Sequence, residues 1–88
     1  MGNLRWDDAN IEHISRHGLE PEDVEEALED PDGKADDAWN TTLERRYAFI
    51  GATVSGRILF VVYVLRTEVL RVVTARDATT SEKRRYRR

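Results

Sequence analysis

Residues 57–65 read RILFVVYVL and residues 68–75 read EVLRVVTA, with only Arg66 and Thr67 between them. The first segment is rich in β-branched and aromatic residues and is apolar at successive positions. An alternating pattern marks a half-exposed strand, whereas a continuous one marks a strand covered on both faces. Residues Arg57–Leu65 therefore predict the central strand of a sheet. The apolar run Ile58–Leu65 spans eight residues, far short of the roughly 20 that a membrane helix needs. Glu68–Ala75 has the same β-rich character, and the two-residue gap predicts a tight turn and an antiparallel pair.

Upstream, Arg45–Gly51 carries Tyr47, Phe49 and Ile50 and reads as another strand. Ala52–Gly56 is a hairpin loop, with Gly51 and Gly56 as its flanking glycines. Trp39–Thr42 reads as a short edge strand. Residues 31–38, with Pro31, Gly33 and several aspartates, read as a loop. Two helices precede it. Asp7 suits an N-cap, Asp8 suits the first turn, and Trp6 and Ile11 have the spacing of a hydrophobic staple. Gly18 suits the left-handed position after the helix, bringing Leu19 onto Ile14; this predicts a helix over Asp8–His17. Pro21 opens the second helix at its first position. Val24, Ala27 and Leu28 form its apolar stripe, Glu22, Asp23, Glu25, Glu26 and Glu29 face water, and Pro31 stops it, giving Pro21–Asp30. Near the end, Thr79 and Glu82 have capping-box spacing and predict a short basic helix over Ser81–Arg88. The reading is one α+β domain, residues 1–88. Two N-terminal helices pack on a four-stranded antiparallel sheet, followed by a short C-terminal helix.

The 88 residues carry a net charge of −3, which hides an asymmetry. Residues 1–44 hold 14 Asp and Glu against 3 Lys and Arg, a net −11; residues 45–88 hold 11 Lys and Arg against 3 Asp and Glu, a net +8. A basic half invites an anionic partner, nucleic acid first, unless the two halves neutralise each other within the fold. There is no cysteine. A disulfide scaffold, a thiolate metal site and a cysteine nucleophile are thereby excluded. No signal-peptide pattern is visible, which reads as a soluble, cytoplasmic chain.

Few residues can carry chemistry. His13 and His17 are one helical turn apart and project from nearly one face. They can serve as core and cap residues, as two ligands of an otherwise incomplete metal site, or as an acid or base. Arg71 stands in an apolar strand among Val69, Val72 and Val73, and Arg76 lies at that strand's end. They can be edge residues reaching water, or a phosphate site joined by Arg46 and Arg57 from neighbouring strands. The tail Lys83, Arg84, Arg85, Arg87 and Arg88 encloses Tyr86, a pattern that serves as solvated charge or as a nucleic-acid contact. There is no Gly-rich phosphate loop, nucleophile elbow or dinucleotide fingerprint.

Several segments, taken in order, resemble one family. They are Trp6-Asp7-Asp8, Asn10 with Glu12-His13-Ile14, His17-Gly18-Leu19, and Glu22-Asp23-Val24-Glu25-Glu26-Ala27. Tyr47 to Gly51, Gly56 to Val62 and Arg71 to Thr79 follow, with Glu82, Arg85 and Tyr86. The chain is similar to the BrnT family of bacterial toxins over nearly its whole length. The resemblance implies a RelE-like fold and a ribonuclease toxin of a type II toxin–antitoxin pair that inhibits translation by cutting RNA. It implies no metal or other cofactor, and a small ribbon-helix-helix antitoxin of the BrnA type, with toxin and antitoxin joined in a heterotetramer. A ribose 2′-OH would attack the adjacent phosphorus. Arg76 and Arg71 would hold the phosphate, with Arg57 or Arg46 assisting. His13, His17 or Glu44 would be the base, and Tyr86, Tyr47 and Arg85 would contact the substrate. The alternative on the same fold is a non-catalytic module that binds RNA or a partner.

Overall fold

The structure, a computed structural model, describes residues 3–88. Strand β1 (Asn3–Arg5) leads into helix α1 (Asp8–Ser15) and helix α2 (Pro21–Leu28). Strands β2 (Lys34–Asn40), β3 (Arg45–Ala52), β4 (Ile58–Arg66) and β5 (Val69–Asp77) follow, then helix α3 (Thr80–Tyr86). The strands form one sheet in the order β1-β5-β4-β3-β2. Four are the expected antiparallel meander; the fifth, β1, runs parallel to β5 with Leu4 opposite Leu70. The sheet is thus five-stranded and mixed, not four-stranded and antiparallel. A three-residue strand is too short to show any periodicity, which is why the sequence does not announce it.

Local signals place the helices as expected. Asp7 caps α1, its Oδ1 accepting from the Asn10 N–H at 2.8 Å. Gly18 has φ +71°, and the Leu19 N–H donates to the Ile14 carbonyl at 3.2 Å. That left-handed turn brings the buried pair Ile14 and Leu19 together. Glu20 donates its N–H to Asp23 at the start of α2, and Thr79 and Glu82 form the capping box of α3. All three helices end sooner than their sequence limits suggest.

Three further readings are corrected. Residues 34–38 belong to β2, not to a loop. Aspartates disfavour strands, but this strand is a sheet edge, where charge deters pairing with other chains. Gly51 lies inside β3, and Gly56 alone is the hairpin glycine. The β4–β5 turn falls at Thr67 and Glu68, one residue later than expected. Both have positive φ, 49° and 66°, a conformation that suits the strand twist of a two-residue hairpin.

One sheet face, here called inner, packs against α1 and α2. Ile14, Val24, Ala27 and Leu28 from the helices, with Leu19 from the turn between them, meet Leu59, Val61, Leu70, Val72 and Ala75 from β4 and β5. Burying each of the larger side chains contributes about 1.5–3 kcal/mol. The outer face carries Ala48, Ile50, Val62 and Val64, all buried, with α3 crossing over β3.

Helix α2 approaches β3 closely enough to require Gly51. A Cβ there would fall 2.8 Å from the Ala27 carbonyl carbon and closer still to its oxygen. Both are backbone atoms that cannot swing aside. Gly51→Ala is therefore expected to destabilise the protein by about 1–3 kcal/mol, seen as a lower urea midpoint by circular dichroism.

Candidate functional site

Side chains of a regular strand alternate between faces, so Arg71 and Arg76, five residues apart, should point opposite ways. They do not. Thr74 lies opposite Val62 but Val72 lies opposite Tyr63, so Val73 is an extra residue in β5. This bulge keeps Val72 and Ala75 both in the core and turns Arg71 and Arg76 both onto the outer face. The Asn10 side-chain amide donates to the Val72 carbonyl at the same place.

The outer face collects arginines, and most already hold a carboxylate. Arg71 Nη2 lies 2.5 Å from Asp7 Oδ2 and Arg66 Nη2 lies 2.5 Å from Glu44 Oε1. Arg76 grips both oxygens of Glu82, at 2.8 and 3.0 Å, and lies 4.5 Å over the Phe60 ring. Arg85 reaches Asp36 at 2.9 Å. These pairs differ in exposure. Glu82 is 6% exposed and its partner is clamped, whereas the Arg71 and Asp7 side chains are 48% and 39% exposed. An exposed pair contributes little to stability and yields its arginine to another anion at low cost.

The exposed pairs border an open cleft of about 210 Å³ lined by Asn10, Glu44, Val64, Arg66, Arg71 and neighbours on β5. An adjoining depression shares Arg66 and Arg71 and adds Arg5. Helix α1 flanks the free edge of β5: His13 Nε2 lies 2.9 Å from Thr74 Oγ1, just past the cleft. The His13 and His17 rings are 6.0 Å apart. Among the described residues no three His, Cys, Asp or Glu side chains gather as a metal site requires. No helix there is long and apolar enough to cross a membrane.

Residues 6–82 match the family of ribonuclease toxins, BrnT, of type II toxin–antitoxin systems. The chain belongs to the BrnT family. No curated protein matches it. Membership in the BrnT family makes the chain a ribonuclease toxin by class and implies an antitoxin partner.

Against that family background the candidate residues separate. Arg66 is an addition, missed because nothing in the sequence shows that the β4 end faces Glu44; only the antiparallel pairing of β3 with β4 brings the two together. Arg57 faces away from the cleft. It holds both Asp77 oxygens, at 2.5 and 3.0 Å, and donates to the Gly18 and His17 carbonyls at 3.0 Å. It thus ties the end of α1 to the sheet. Tyr47 lies on the inner face, stacked on Tyr63 at 5.5 Å and with the Arg45 guanidinium 5.7 Å over its ring, away from the cleft. Tyr86 donates its hydroxyl to Asp30 Oδ2 at 2.5 Å, pinning α3 to the end of α2.

These contacts set the acid–base behaviour. The Asn10 N–H, aided by Arg71, holds the Asp7 carboxyl below its usual range. The Arg57 hydrogen bond does the same for Asp77. Burial pushes Glu82 and Asp30 up, but hydrogen bonds from Arg76 and Thr79, and from Tyr86 and Ala52, outweigh it and leave both lowered. The Asp30 carboxylate pushes the Tyr86 hydroxyl up to about 12.

Each lowered carboxyl adds stability that is complete above its unfolded value and lost as pH falls through its folded one. For Tyr86 the sign reverses, and its contribution disappears as pH rises from its ordinary 10.0 to about 12. Tyr86→Phe is expected to lower stability at neutral pH by about 1–2 kcal/mol. It should also flatten the decline above pH 10, in denaturation midpoints measured against pH. Arg57→Ala is expected to cost about 1–2 kcal/mol, chiefly by stripping two helix-end carbonyls of their partner, checked by thermal melts.

Proposed function

We propose that this chain is a metal-independent endoribonuclease that cuts single-stranded RNA in the cleft between the ends of β4 and β5. The observation that carries this reading is the pairing of two solvent-accessible arginines, Arg71 and Arg66, with the carboxylates of Asp7 and Glu44 at one open cleft. Such arginines are oriented yet releasable. A phosphodiester can take the place of Asp7 and Glu44, gaining two planar donor forks at the scissile phosphorus. With Arg66 drawn to the phosphate, the freed Glu44 carboxylate accepts the proton of the ribose 2′-OH. The alkoxide attacks the neighbouring phosphorus, and the bond to the 5′-oxygen breaks. His13, at the cleft margin, supplies the proton that the leaving oxygen takes up. The two guanidiniums stabilise the charge that develops on the phosphoryl oxygens.

Arg76 and Arg57 act in this reading as positioning residues that hold α3 and α1, rather than as phosphate ligands. The family supports a small protein antitoxin; a ribbon-helix-helix partner of the BrnA type, a heterotetrameric complex, a RelE-like plan, action in the cytoplasm and arrest of translation belong to the same proposal.

Inducible expression in a bacterial host, with total RNA followed on gels, tests it. The wild type is expected to arrest growth and fragment RNA, and the purified protein to cleave RNA in EDTA. Arg71→Ala and Glu44→Gln should each lower cleavage about 100-fold or more while circular dichroism stays unchanged. Full cleavage by both variants would move the reaction elsewhere on the fold. Intact RNA with the folded wild type would make the chain a binding module.

A further inference from the structure

Trp39 is 40% exposed on the edge strand β2. Its direction is set by a second bulge. The β2–β3 register pairs Lys34 with Ile50 and Asp36 with Ala48, but Trp39 with Arg46, so β2 contains one extra residue between Asp36 and Trp39. Without it Trp39 would share the inner face with Tyr47. With it, Trp39 joins Asp36 and Arg46 on the outer face, the face of Arg71 and the cleft. Bulges at sheet edges commonly re-aim a side chain in this way.

Arg46 differs from its neighbours on that face. Arg66, Arg71, Arg76 and Arg85 each hold a carboxylate, whereas among the described residues Arg46 holds none. Its Nε is buried without a hydrogen-bond partner. With no carboxylate of its own, the half-buried Arg46 guanidinium keeps its charge for an external anion. An exposed indole beside an unpaired guanidinium is the pairing by which single-stranded nucleic acids are held: the ring stacks on a base and the cation meets the backbone. Arg46 lies directly opposite Trp39 on this face, and Arg85 reaches it from α3 through Asp36, a local positive charge that suits a phosphate backbone.

We propose that Trp39 is a base-stacking platform, with Arg46 on the adjacent phosphate, for single-stranded RNA whose scissile bond lies in the Arg71 cleft, a proposal that rests on the ribonuclease reading above. Strands β2 and β5 are three inter-strand steps apart, about 14 Å. Trp39 therefore grips a nucleotide remote from the reacting one. It contributes to substrate affinity and register, not to the chemical step.

The chain has two tryptophans, so Trp6→Phe leaves Trp39 as the only indole. That protein is titrated with a short 2′-O-methyl RNA, which cannot be cut, and the fluorescence is followed. Saturable quenching is expected. In parallel, unmodified RNA is cleaved by the wild type, Trp39→Ala, Trp39→Phe and Arg46→Ala. Trp39→Ala should raise KM and the oligonucleotide Kd about 10- to 100-fold, with kcat within about twofold, and Trp39→Phe should recover most of the loss. Arg46→Ala should weaken binding and make it less sensitive to salt. Cleavage by the wild type with unchanged KM and Kd in Trp39→Ala would overturn the platform and leave the ribonuclease reading intact. Quenching by a protein partner but not by RNA would also overturn it. A folded wild type that neither binds nor cuts RNA would remove both.

Discussion

The two-residue period of a β-strand is the constraint on which this molecule turns. β5 must put Leu70, Val72 and Ala75 into the core and arginines into water, and its sequence cannot do both in regular alternation. The extra residue at Val73 resolves the conflict. Val72 and Ala75 stay against Ile14 and Leu19, and Arg71 and Arg76 emerge together. A regular strand in this register would place a guanidinium among apolar side chains, at a cost no nearby carboxylate offsets. The bulge is anchored from outside the sheet, because Asn10 donates to the Val72 carbonyl just beyond the last residue of β1.

The charge asymmetry of the chain has a structural meaning. Asp7, Asp36 and Glu44 from the acidic half pair with Arg71, Arg85 and Arg66 from the basic half. Of the acidic residues of α2, Glu22 is exposed, while Asp23, Glu25 and Glu26 are half-buried, and Glu26 accepts from the Val54 N–H. Neutralisation within the fold and affinity for an external anion are thus not opposed. The exposed pairs leave their arginines accessible, while Arg76 and Arg57, bound more extensively, fasten α3 and the end of α1 to the sheet. Identical residue types in similar strands therefore do different work. What separates them is the number of partners each guanidinium already has.

Much of the fold was legible because its signals are local. The Asp7 cap, the Gly18 turn, the proline opening α2, the Thr79–Glu82 box and the apolar run in β4 each need only a few neighbouring residues. What escaped depends on distant ones. Strand β1 exists because β5 offers an edge, and β2 tolerates Asp36 and Asp37 because it lies at one. Both bulges are invisible to counting by twos, so the facing of Arg71 and Trp39 could not be derived. Arg71, Glu44 and His13 were legible by residue type and family likeness, and the structure gathers them at one cleft and its margin. Arg66 and Trp39 were not, since their neighbours come from strands elsewhere in the sequence.

The parallel pairing of β1 with β5 bears on how the molecule is made. Asn3–Arg5 find their strand partner only in residues 69–71. α1 likewise has its main sheet contact with β5. A nascent chain that has emerged only through β4 lacks Leu70, Val72 and Ala75, and with them much of its core. Contacts this distant in sequence form late and together. Asp7 and Asn10, synthesised early, must wait for Arg71 and Val72. The cleft, with Asn10 on one side and Glu44 and Arg66 on the other, is closed only when Arg71, Val72 and Val73 join them, so its assembly is tied to the docking of β5.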